Sequence, residues 1–243
     1  MSTVKSVLIT GANGGLGLAT TRLLLSQGID VVATSRRPEG LAKIKEAVVG
    51  KPEFTGNLSL MLCDIERGMF SEDINRALQR VDGVINNAGS AADLPKTRNG
   101  EKSDSILALD WTEFQKAVWV NAEGPRRIMR LCVPAMLKRK FGRIVNVSSA
   151  RASLGTIVGE IGAPSYDLSK LVLNGFTAHM GHELEGSNVL VNALCPGWCQ
   201  TPMGGSDAPE TAEMGAERIV ALLNLPEGSP NGRFYMNNEI APF

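Results

Sequence analysis

Histidine is scarce in this sequence, which contains only His179 and His182 among its 243 residues. Their i, i+3 spacing beside Glu183 is compatible with a metal pair, but no HExxH order and no third ligand accompany them. A polar helix face explains both side chains more simply. The sequence therefore predicts no metal site, and two histidines on one helix argue against a serine-histidine-acid hydrolase.

The four cysteines form no CxxC pair and match no structural zinc spacing, so reduced thiols are predicted. Lys and Arg total 25, as do Asp and Glu, and zero net charge gives no field that would recruit nucleic acid or an anionic membrane. No apolar run reaches membrane-spanning length, and the first residues form neither a charged leader nor a cleavage site. We predict a cytoplasmic protein without nucleic-acid or membrane partners.

Short apolar segments alternate with amphipathic segments along the chain. The apolar segments are rich in Val, Ile and Leu and show little polar alternation, which is typical of parallel strands buried on both faces. We predict strands at residues 4–10, 30–34, 58–62, 83–86, 143–148 and 188–194. Helices are predicted at residues 15–27, 41–49, 72–79, 111–139, 165–185 and 209–223. This alternation predicts one α/β domain over residues 1–243, a Rossmann-type doubly wound parallel sheet between two helical layers.

A glycine-rich segment follows the first predicted strand and opens the first helix. Backbone of this kind can approach a pyrophosphate closely, and the helix amino terminus supplies free N–H groups. The spacing differs from the GxGxxG fingerprint, and glycines also form tight turns without a ligand. The position after a strand favours dinucleotide binding, with these residues as contacts: Gly11, Asn13, Gly14, Gly15, Leu16 and Gly17.

The end of the second predicted strand indicates which dinucleotide binds. An acidic residue there would accept hydrogen bonds from the adenosine ribose diol, but the chain carries Arg36 and Arg37 instead. Guanidinium groups bind a 2′-phosphate through paired, charge-assisted hydrogen bonds. Adjacent arginines are more often a solvated pair on an exposed turn. At this position we favour the cofactor interpretation and predict NADPH.

Tyr166 and Lys170 are separated by four residues within a predicted helix, so their side chains lie on the same face. A lysine ammonium beside a phenol favours the ionised phenol and lowers its pKa. We therefore predict that Lys170 tunes Tyr166 for proton transfer near neutral pH.

Six sequence motifs, in order along almost the whole chain, make this sequence similar to the short-chain dehydrogenase/reductases, and its tail resembles cytosolic NADPH-dependent carbonyl reductases. The motifs are residues 10–17, Asn86-Asn87-Ala88-Gly89, Asn121, Ser148-Ser149, Tyr166-x-x-x-Lys170 and residues 196–201. The resemblance implies that Tyr166 is the general acid for a carbonyl oxygen that Ser149 also contacts. It further implies that Lys170 holds the nicotinamide ribose and that Asn121 anchors a water linking Lys170 to solvent.

The same resemblance implies further contacts. Asp64 and Ile65 would flank the adenine, Asn87 would lie beside the adenine ribose, and Thr201 would reach the carboxamide. Asp64 could instead cap the next helix, and Thr201 could serve ordinary turn chemistry. Trp198 follows a Pro-Gly turn near the expected nicotinamide and could form a substrate wall.

Three serines, Ser148, Ser149 and Ser153, lie close together in sequence before Tyr166. We predict that Ser149 is the active one, because it occupies the second position of the Ser-Ser pair after a strand. Ser153 would give a shorter spacing to Tyr166. The glycine-containing residues 155–162 are interpreted as a loop insertion.

The sequence thus predicts an NADPH-dependent reductase of a small-molecule ketone or aldehyde. The alternatives are a ketoacyl- or sugar-type reductase of the same family and a non-catalytic NADP-binding sensor or scaffold. The resemblance implies a homodimer or homotetramer formed through the helices at 111–139 and 165–185, although an insertion before the tyrosine leaves some carbonyl reductases monomeric. Segments 90–105 and 204–211 are predicted to be the mobile loops.

Overall fold

A computed structural model describes residues 3–68, 70–91, 93, 106–159 and 163–243. These residues form one eight-stranded sheet with strand order β3-β2-β1-β4-β5-β6-β7-β8. The strands are β1 Ser6–Ile9, β2 Asp30–Ser35, β3 Leu58–Leu62, β4 Gly83–Asn86, β5 Gly142–Val147, β6 Val189–Cys195, β7 Phe234–Met236 and β8 Glu239–Ala241. All neighbouring pairs are parallel except β7 with β8. The predicted doubly wound sheet is confirmed.

Helices connect the strands as the sequence pattern predicts. They are α1 Gly15–Ser26, α2 Pro38–Val48, α3 Glu72–Leu78, α4 Trp111–Val118, α5 Gly124–Arg139, α6 Leu154–Gly159, α7 Pro164–Glu183 and α8 Ala212–Leu223. Two 3₁₀ turns, Ile106–Ala108 and Ala150–Ala152, complete the described regular structure together with a π turn at Trp119–Glu123. Within the described ranges, no helix is long and apolar enough to cross a membrane.

The core lies on both faces of the sheet because side chains alternate along each strand. On β1, Val7 and Ile9 join a cluster that includes Leu24 of α1 and Ile219 of α8. The intervening Leu8 points to the other face and joins a second cluster. That cluster contains Ile128, Met129 and Cys132 of α5 and Leu78 of α3. The two clusters account for the predicted helical layer on each side of the sheet.

Three predictions from the sequence need correction. Strands β7 and β8 were not predicted, because three residues are too few to establish a period of two. The predicted continuous helix at 111–139 is interrupted by the π turn Trp119–Glu123, which carries Asn121. The predicted loop insertion at 155–162 includes most of the short helix α6, which ends at Gly159.

The order of the sheet places the chemically important segments at one edge. Strand order reverses between β1 and β4, and ligands of such sheets bind beyond the carboxyl ends of the strands near this point. Gly11 follows β1, Asn87 follows β4, and Ser149 follows β5. The site described below therefore assembles where the fold provides a crevice.

Candidate active site

The glycine-rich turn after β1 is held by a side chain from the neighbouring strand. Asn87 Nδ2 donates to the carbonyl oxygens of Thr10 at 2.9 Å and Gly11 at 3.1 Å. The Asn87 backbone N–H donates to Thr10 Oγ1 at 3.0 Å. The amide nitrogen of Asn87 spans the ends of β1 and β4, and its predicted place beside the adenine ribose stays a prediction. This contact fixes the backbone that follows β1.

The turn leads into α1, and the backbone there is packed so closely that a side chain at Gly17 would not fit. A Cβ on Gly17 would collide with the Gly11 carbonyl oxygen and with Asn87 Nδ2. The N-cap residue Gly14 provides no side-chain hydrogen bond, so the first N–H groups of α1 are uncapped by a side chain. A glycine turn that packs backbone on backbone and opens an uncapped helix of 12 residues fits a dinucleotide pyrophosphate.

Thr201, from the segment after β6, reaches the start of α1. A Cβ on Gly15 would lie 2.8 Å from Thr201 Cγ2, so the two residues are already in close contact. Thr201 Oγ1 accepts a hydrogen bond from the Gly204 N–H at 2.8 Å. This contact stabilises a turn, which is the alternative role that the sequence leaves open for Thr201. The segment after β6 therefore lies beside the glycine-rich turn.

The residues after β2 form a charged cluster that includes an acid from another segment. Arg36 is 59% exposed, and its Nη1 lies 3.4 Å from Glu66 Oε2. Lys116 Nζ lies 3.3 Å from Glu66 Oε1. Arg37 is exposed and serves as the N-cap residue of α2. Glu66 and Lys116 cannot be connected with Arg36 from the sequence, because neither lies near Arg36 in the chain.

Three further predicted contact residues lie in this region. Asn13 packs against α2, since a Cβ on Gly40 would be 3.0 Å from Asn13 Cγ. Asp64 Oδ1 accepts from the Arg67 N–H at 3.2 Å, so it stabilises a turn rather than capping a helix. Ile65 is buried, and its carbonyl oxygen accepts from Trp119 Nε1 at 3.1 Å.

Tyr166 lies in the first turn of α7 and is 7% exposed. The neighbouring Ser149 side chain lowers the pKa of the phenol. Ser148 Oγ instead donates to Asn174 Oδ1 at 2.7 Å. The structure thus pairs Ser149, the serine favoured by the sequence, with Tyr166.

Burial is the largest influence on the pKa of Tyr166, and the predicted tuning of Tyr166 by Lys170 stays a prediction. Burial raises the pKa of Tyr166 to about 12, and the neighbouring Ser149 only partly opposes that increase. Lys170 Nζ donates to the Val147 carbonyl oxygen at 2.7 Å and lies 5.8 Å from the centre of the Tyr166 ring. The phenol is therefore protonated at neutral pH, the state that a proton donor requires.

Asn121 connects the π turn to two neighbouring segments. Its Oδ1 accepts from the Ser90 N–H at 2.7 Å, and its Nδ2 donates to the Ser90 carbonyl oxygen at 2.7 Å and to Ser169 Oγ at 2.8 Å. Ser169 Oγ in turn donates to the Tyr166 carbonyl oxygen at 2.7 Å. The side chain of Asn121 thus supports the helix turn that carries Tyr166, and its predicted water-anchoring role stays a prediction. π turns are frequent at functional sites.

The segment after β6 is tied down by hydrogen bonds at both ends. Trp198 is half exposed, and its Nε1 donates to the Gly204 carbonyl oxygen at 2.8 Å. The Gln200 N–H donates to the Glu210 carbonyl oxygen at 2.8 Å. These bonds do not favour the predicted mobility of residues 204–211. The corresponding prediction for residues 90–105 falls mostly outside the described residues.

Two acids and an arginine near Tyr166 were missed by the sequence analysis. Asp93 Oδ2 accepts from the backbone N–H groups of Ser165 at 2.8 Å and Tyr166 at 3.3 Å, which caps α7 from outside. Arg151 forms a two-pronged ion pair with Asp167. No spacing rule connects these residues, although Asp167 directly follows the tyrosine in sequence.

All four cysteines are free and buried. The part of the chain that the structure describes contains no group of three or more His, Cys, Asp or Glu residues suited to a metal ion. Tyr166, Ser149 and Lys170 are therefore the chemically competent side chains that meet at this edge of the sheet.

Lys170→Met is expected to raise the free energy of unfolding near neutral pH. Burial lowers the pKa of Lys170 from 10.5 to about 8, so between these values the unfolded chain holds a proton that the folded chain does not. Stability from this group therefore rises with pH across that window, and the destabilisation is complete below it. Urea unfolding of both proteins at a series of pH values measures the difference, which should shrink as pH rises.

The exposed Lys138 supplies the control, since Lys138→Met removes a lysine charge without removing a buried one. Its effect on the free energy of unfolding should be small. A difference between wild type and Lys170→Met that stays constant with pH would contradict the expectation.

The model of the short chain dehydrogenase family matches residues 5–212, and the chain belongs to this family of oxidoreductases. The 3-oxoacyl-(acyl-carrier-protein) reductase of Thermotoga maritima is 34% identical over 240 residues, covering 98% of this chain and 87% of that protein.

Solved structures show the same fold. The carbonyl reductase Sniffer of D. melanogaster superposes with a TM-score of 0.80 at 24% identity, covering 98% of this chain and 99% of that one. The actinorhodin polyketide ketoreductase with NADPH superposes with a TM-score of 0.77 at 26% identity, covering 98% and 97%. The family binds nicotinamide cofactors, and similar structures include both NADPH-bound and NAD-bound proteins.

Proposed function

We propose that this protein reduces the carbonyl group of a small ketone or aldehyde to an alcohol with NADPH. The observation that carries the proposal is the position of Tyr166, buried next to Ser149 and Lys170 at the edge of the sheet where the glycine-rich turn also lies. Membership in an oxidoreductase family supports it. The assignment of catalytic and cofactor-binding roles to individual residues is part of the proposal.

In the proposed reaction, NADPH supplies a hydride to the carbonyl carbon when it is bound. Ser149 and Tyr166 orient the carbonyl oxygen by donating hydrogen bonds to it. Tyr166 then transfers its phenolic proton to the oxygen as negative charge develops there, which leaves a tyrosinate that solvent reprotonates. The raised pKa of Tyr166 keeps the proton on the phenol until a stronger base, the nascent alkoxide, is formed.

Lys170 has two roles in this proposal. Its Nζ is buried and already donates to the Val147 carbonyl oxygen, so its position beside Tyr166 is fixed. From that position it would donate to the nicotinamide ribose hydroxyls. Its positive charge would also stabilise the transient tyrosinate, because an opposite charge close by favours the ionised form.

The remaining cofactor contacts follow the order of the segments along the sheet edge. The proposal places the pyrophosphate at residues 11–17 and the adenine end between Arg36 and Asp64. Thr201, which contacts Gly15, would lie near the carboxamide. Trp198 is half exposed in the adjoining segment and would form one wall of the substrate pocket.

NADPH is preferred over NADH in the proposal because of Arg36. Its guanidinium is exposed and lies after β2, where the adenosine ribose of a dinucleotide binds in this type of fold. Arg36→Asp is expected to lower kcat/KM for NADPH by about tenfold or more and to improve the use of NADH, since a paired charge-assisted contact is replaced by an acid. Kinetics with both cofactors measure the ratio.

Arg67→Asp is the matched control, because Arg67 is an exposed arginine of the following turn whose ion pair is with Asp64. It should leave the NADPH to NADH ratio closer to that of the parent protein. Equal use of NADH and NADPH by the unmodified protein would contradict the assignment of Arg36.

A substrate panel tests the function itself. It contains aromatic aldehydes, diketones and quinones, and also a β-ketoacyl thioester, because the 34% identical relative is a 3-oxoacyl reductase. Loss of reduced-nicotinamide absorbance with any carbonyl supports the proposal. Preference for the ketoacyl thioester would assign the protein to the ketoacyl-reductase alternative. Bound NADPH with no turnover on the panel would favour the sensor or scaffold alternative.

A further inference from the structure

Arg151 and Asp167 form an ion pair beside the proposed catalytic tyrosine. Arg151 Nε donates to Asp167 Oδ1 at 2.7 Å, and Arg151 Nη2 donates to Asp167 Oδ2 at 3.0 Å. The Asp167 side chain is 7% exposed and that of Arg151 is 22% exposed. This two-pronged geometry is the strongest form of the arginine–carboxylate contact. Removing one partner of such a largely buried ion pair leaves an unpaired charge away from water, which is strongly destabilising.

The pair joins the two segments that carry Ser149 and Tyr166. Arg151 lies in the 3₁₀ turn Ala150–Ala152, and its backbone N–H donates to Ser149 Oγ at 3.2 Å. Asp167 lies in the first turn of α7, directly after Tyr166. The ion pair therefore connects the residue next to the tyrosine with the residue that contacts the serine hydroxyl.

We propose that Arg151 is a positioning residue for Tyr166: it holds the buried Asp167 carboxylate, keeps Ser149 in register with the phenol and neutralises a negative charge beside it. The role is a refinement of the proposed function, on which it rests. Arg151 is not assigned any contact with the substrate.

Electrostatics at Tyr166 agree with this role. Burial has the largest effect and raises the pKa of the phenol; Asp167 raises it further, whereas Arg151 lowers it. The Asp167 carboxyl is itself raised in pKa by burial, and the hydrogen bond from Arg151 opposes that increase. Among the described residues, the polar and titratable groups around the phenol are Ser149, Arg151, Asp167, Lys170 and Cys195, with Asp93 acting on Asp167.

The small number of tyrosines allows a direct test. The chain has two tyrosines, Tyr166 and Tyr235, and Tyr235 lies in the core cluster on one face of the sheet. In a Tyr235→Phe background, the tyrosinate absorbance reports Tyr166 alone. The titration is made on the protein without substrate turnover, so it does not depend on the proposed reaction.

Opposite shifts are expected from the two single variants in this background. Asp167→Asn removes the negative partner and should increase the ionised fraction of Tyr166 at a fixed alkaline pH, by about tenfold in the ratio of ionised to neutral phenol. Arg151→Gln removes the positive partner and should decrease that ratio. In the double variant, the ratio of ionised to neutral Tyr166 should return close to that of the Tyr235→Phe parent. Arg76→Met, which breaks an exposed ion pair on α3, should cause no shift.

Shifts of both single variants in the same direction, or no shift in Asp167→Asn, would overturn the proposal. If Arg151→Gln does not fold, the comparison of Asp167→Asn with the double variant carries the test. Steady-state turnover is a second measurement. Arg151→Gln should lower kcat by a larger factor than it changes the KM for NADPH. Arg151→Lys should restore part of the lost kcat. Full turnover by a Tyr166→Phe protein would instead refute the proposed function and leave the titration result standing.

Discussion

Tyr166→Phe is expected to reduce kcat by about a thousandfold while leaving NADPH affinity within a few fold of the parent. The substitution keeps the buried ring and removes only the phenolic O–H, which the proposed reaction uses as the proton donor. General acid catalysis by a positioned group contributes about 10²- to 10⁴-fold in enzymes. Steady-state kinetics with the best carbonyl of the panel, combined with NADPH fluorescence titration, separate the two effects.

The second tyrosine of the chain serves as the control for this substitution. Tyr235 is buried in β7 and packs in the core cluster that includes Leu24 of α1 and Ile219 of α8. Tyr235→Phe should retain nearly all turnover. A Tyr166→Phe protein that turns over at the parent rate would show that the phenol is not the acid. Loss of both NADPH binding and turnover in Tyr166→Phe would point to a structural role of the hydroxyl.

Gly197→Ala is expected to lower the free energy of unfolding by about 3 kcal/mol. Gly197 has φ +94°, a conformation that L residues adopt only with strain, and a Cβ there would collide with Glu210 Oε2 and Arg218 Nη1. Those atoms belong to an ion pair in which Arg218 donates to both Glu210 oxygens, at 2.7 and 2.6 Å. The methyl group must therefore displace a charged contact that is largely shielded from water.

Gly228→Ala separates backbone strain from the collision. Gly228 has φ +82°, but no atom lies within 4 Å of its added Cβ, so the cost should be about 1 kcal/mol from strain alone. Denaturant midpoints of both variants measure the difference. Equal destabilisation would show that the crowding by Glu210 and Arg218 is relieved at no cost. Gly197→Ala, unlike Gly228→Ala, is also expected to weaken NADPH binding, because Gly197 lies in the same segment as Thr201.

The sequence was sufficient for those parts of the fold that depend on local pattern. Strands β1 to β6 were predicted because buried parallel strands are continuous apolar runs. Their carboxyl ends then had to meet at one edge, which is why the positions of Gly11, Asn87 and Ser149 could be predicted. Strands β7 and β8 could not, since three-residue strands owe their conformation to pairing with β6 and with each other.

Electrostatic properties of the site depended on tertiary structure and were predicted less well. The i, i+4 spacing of Tyr166 and Lys170 correctly placed the two side chains near each other but said nothing about how deeply either is buried. Burial raises the pKa of one and lowers that of the other, which the spacing alone would not indicate. Likewise, Glu66 meets Arg36 across 30 positions of sequence, and only the packed chain reveals that the proposed phosphate-binding arginine has an acidic neighbour.

The Asn87 contacts make the conformation of the glycine-rich turn depend on the folding of distant parts of the chain. Asn87 is 77 positions from Thr10 in the chain, yet its amide fixes the turn after β1. Contacts between such distant residues form only after the intervening chain has been organised. An N-terminal portion that ends before β4 contains every glycine of the turn but lacks the side chain that shapes it. The proposed phosphate-binding turn is therefore shaped by assembly of the sheet centre and is not a preformed local motif.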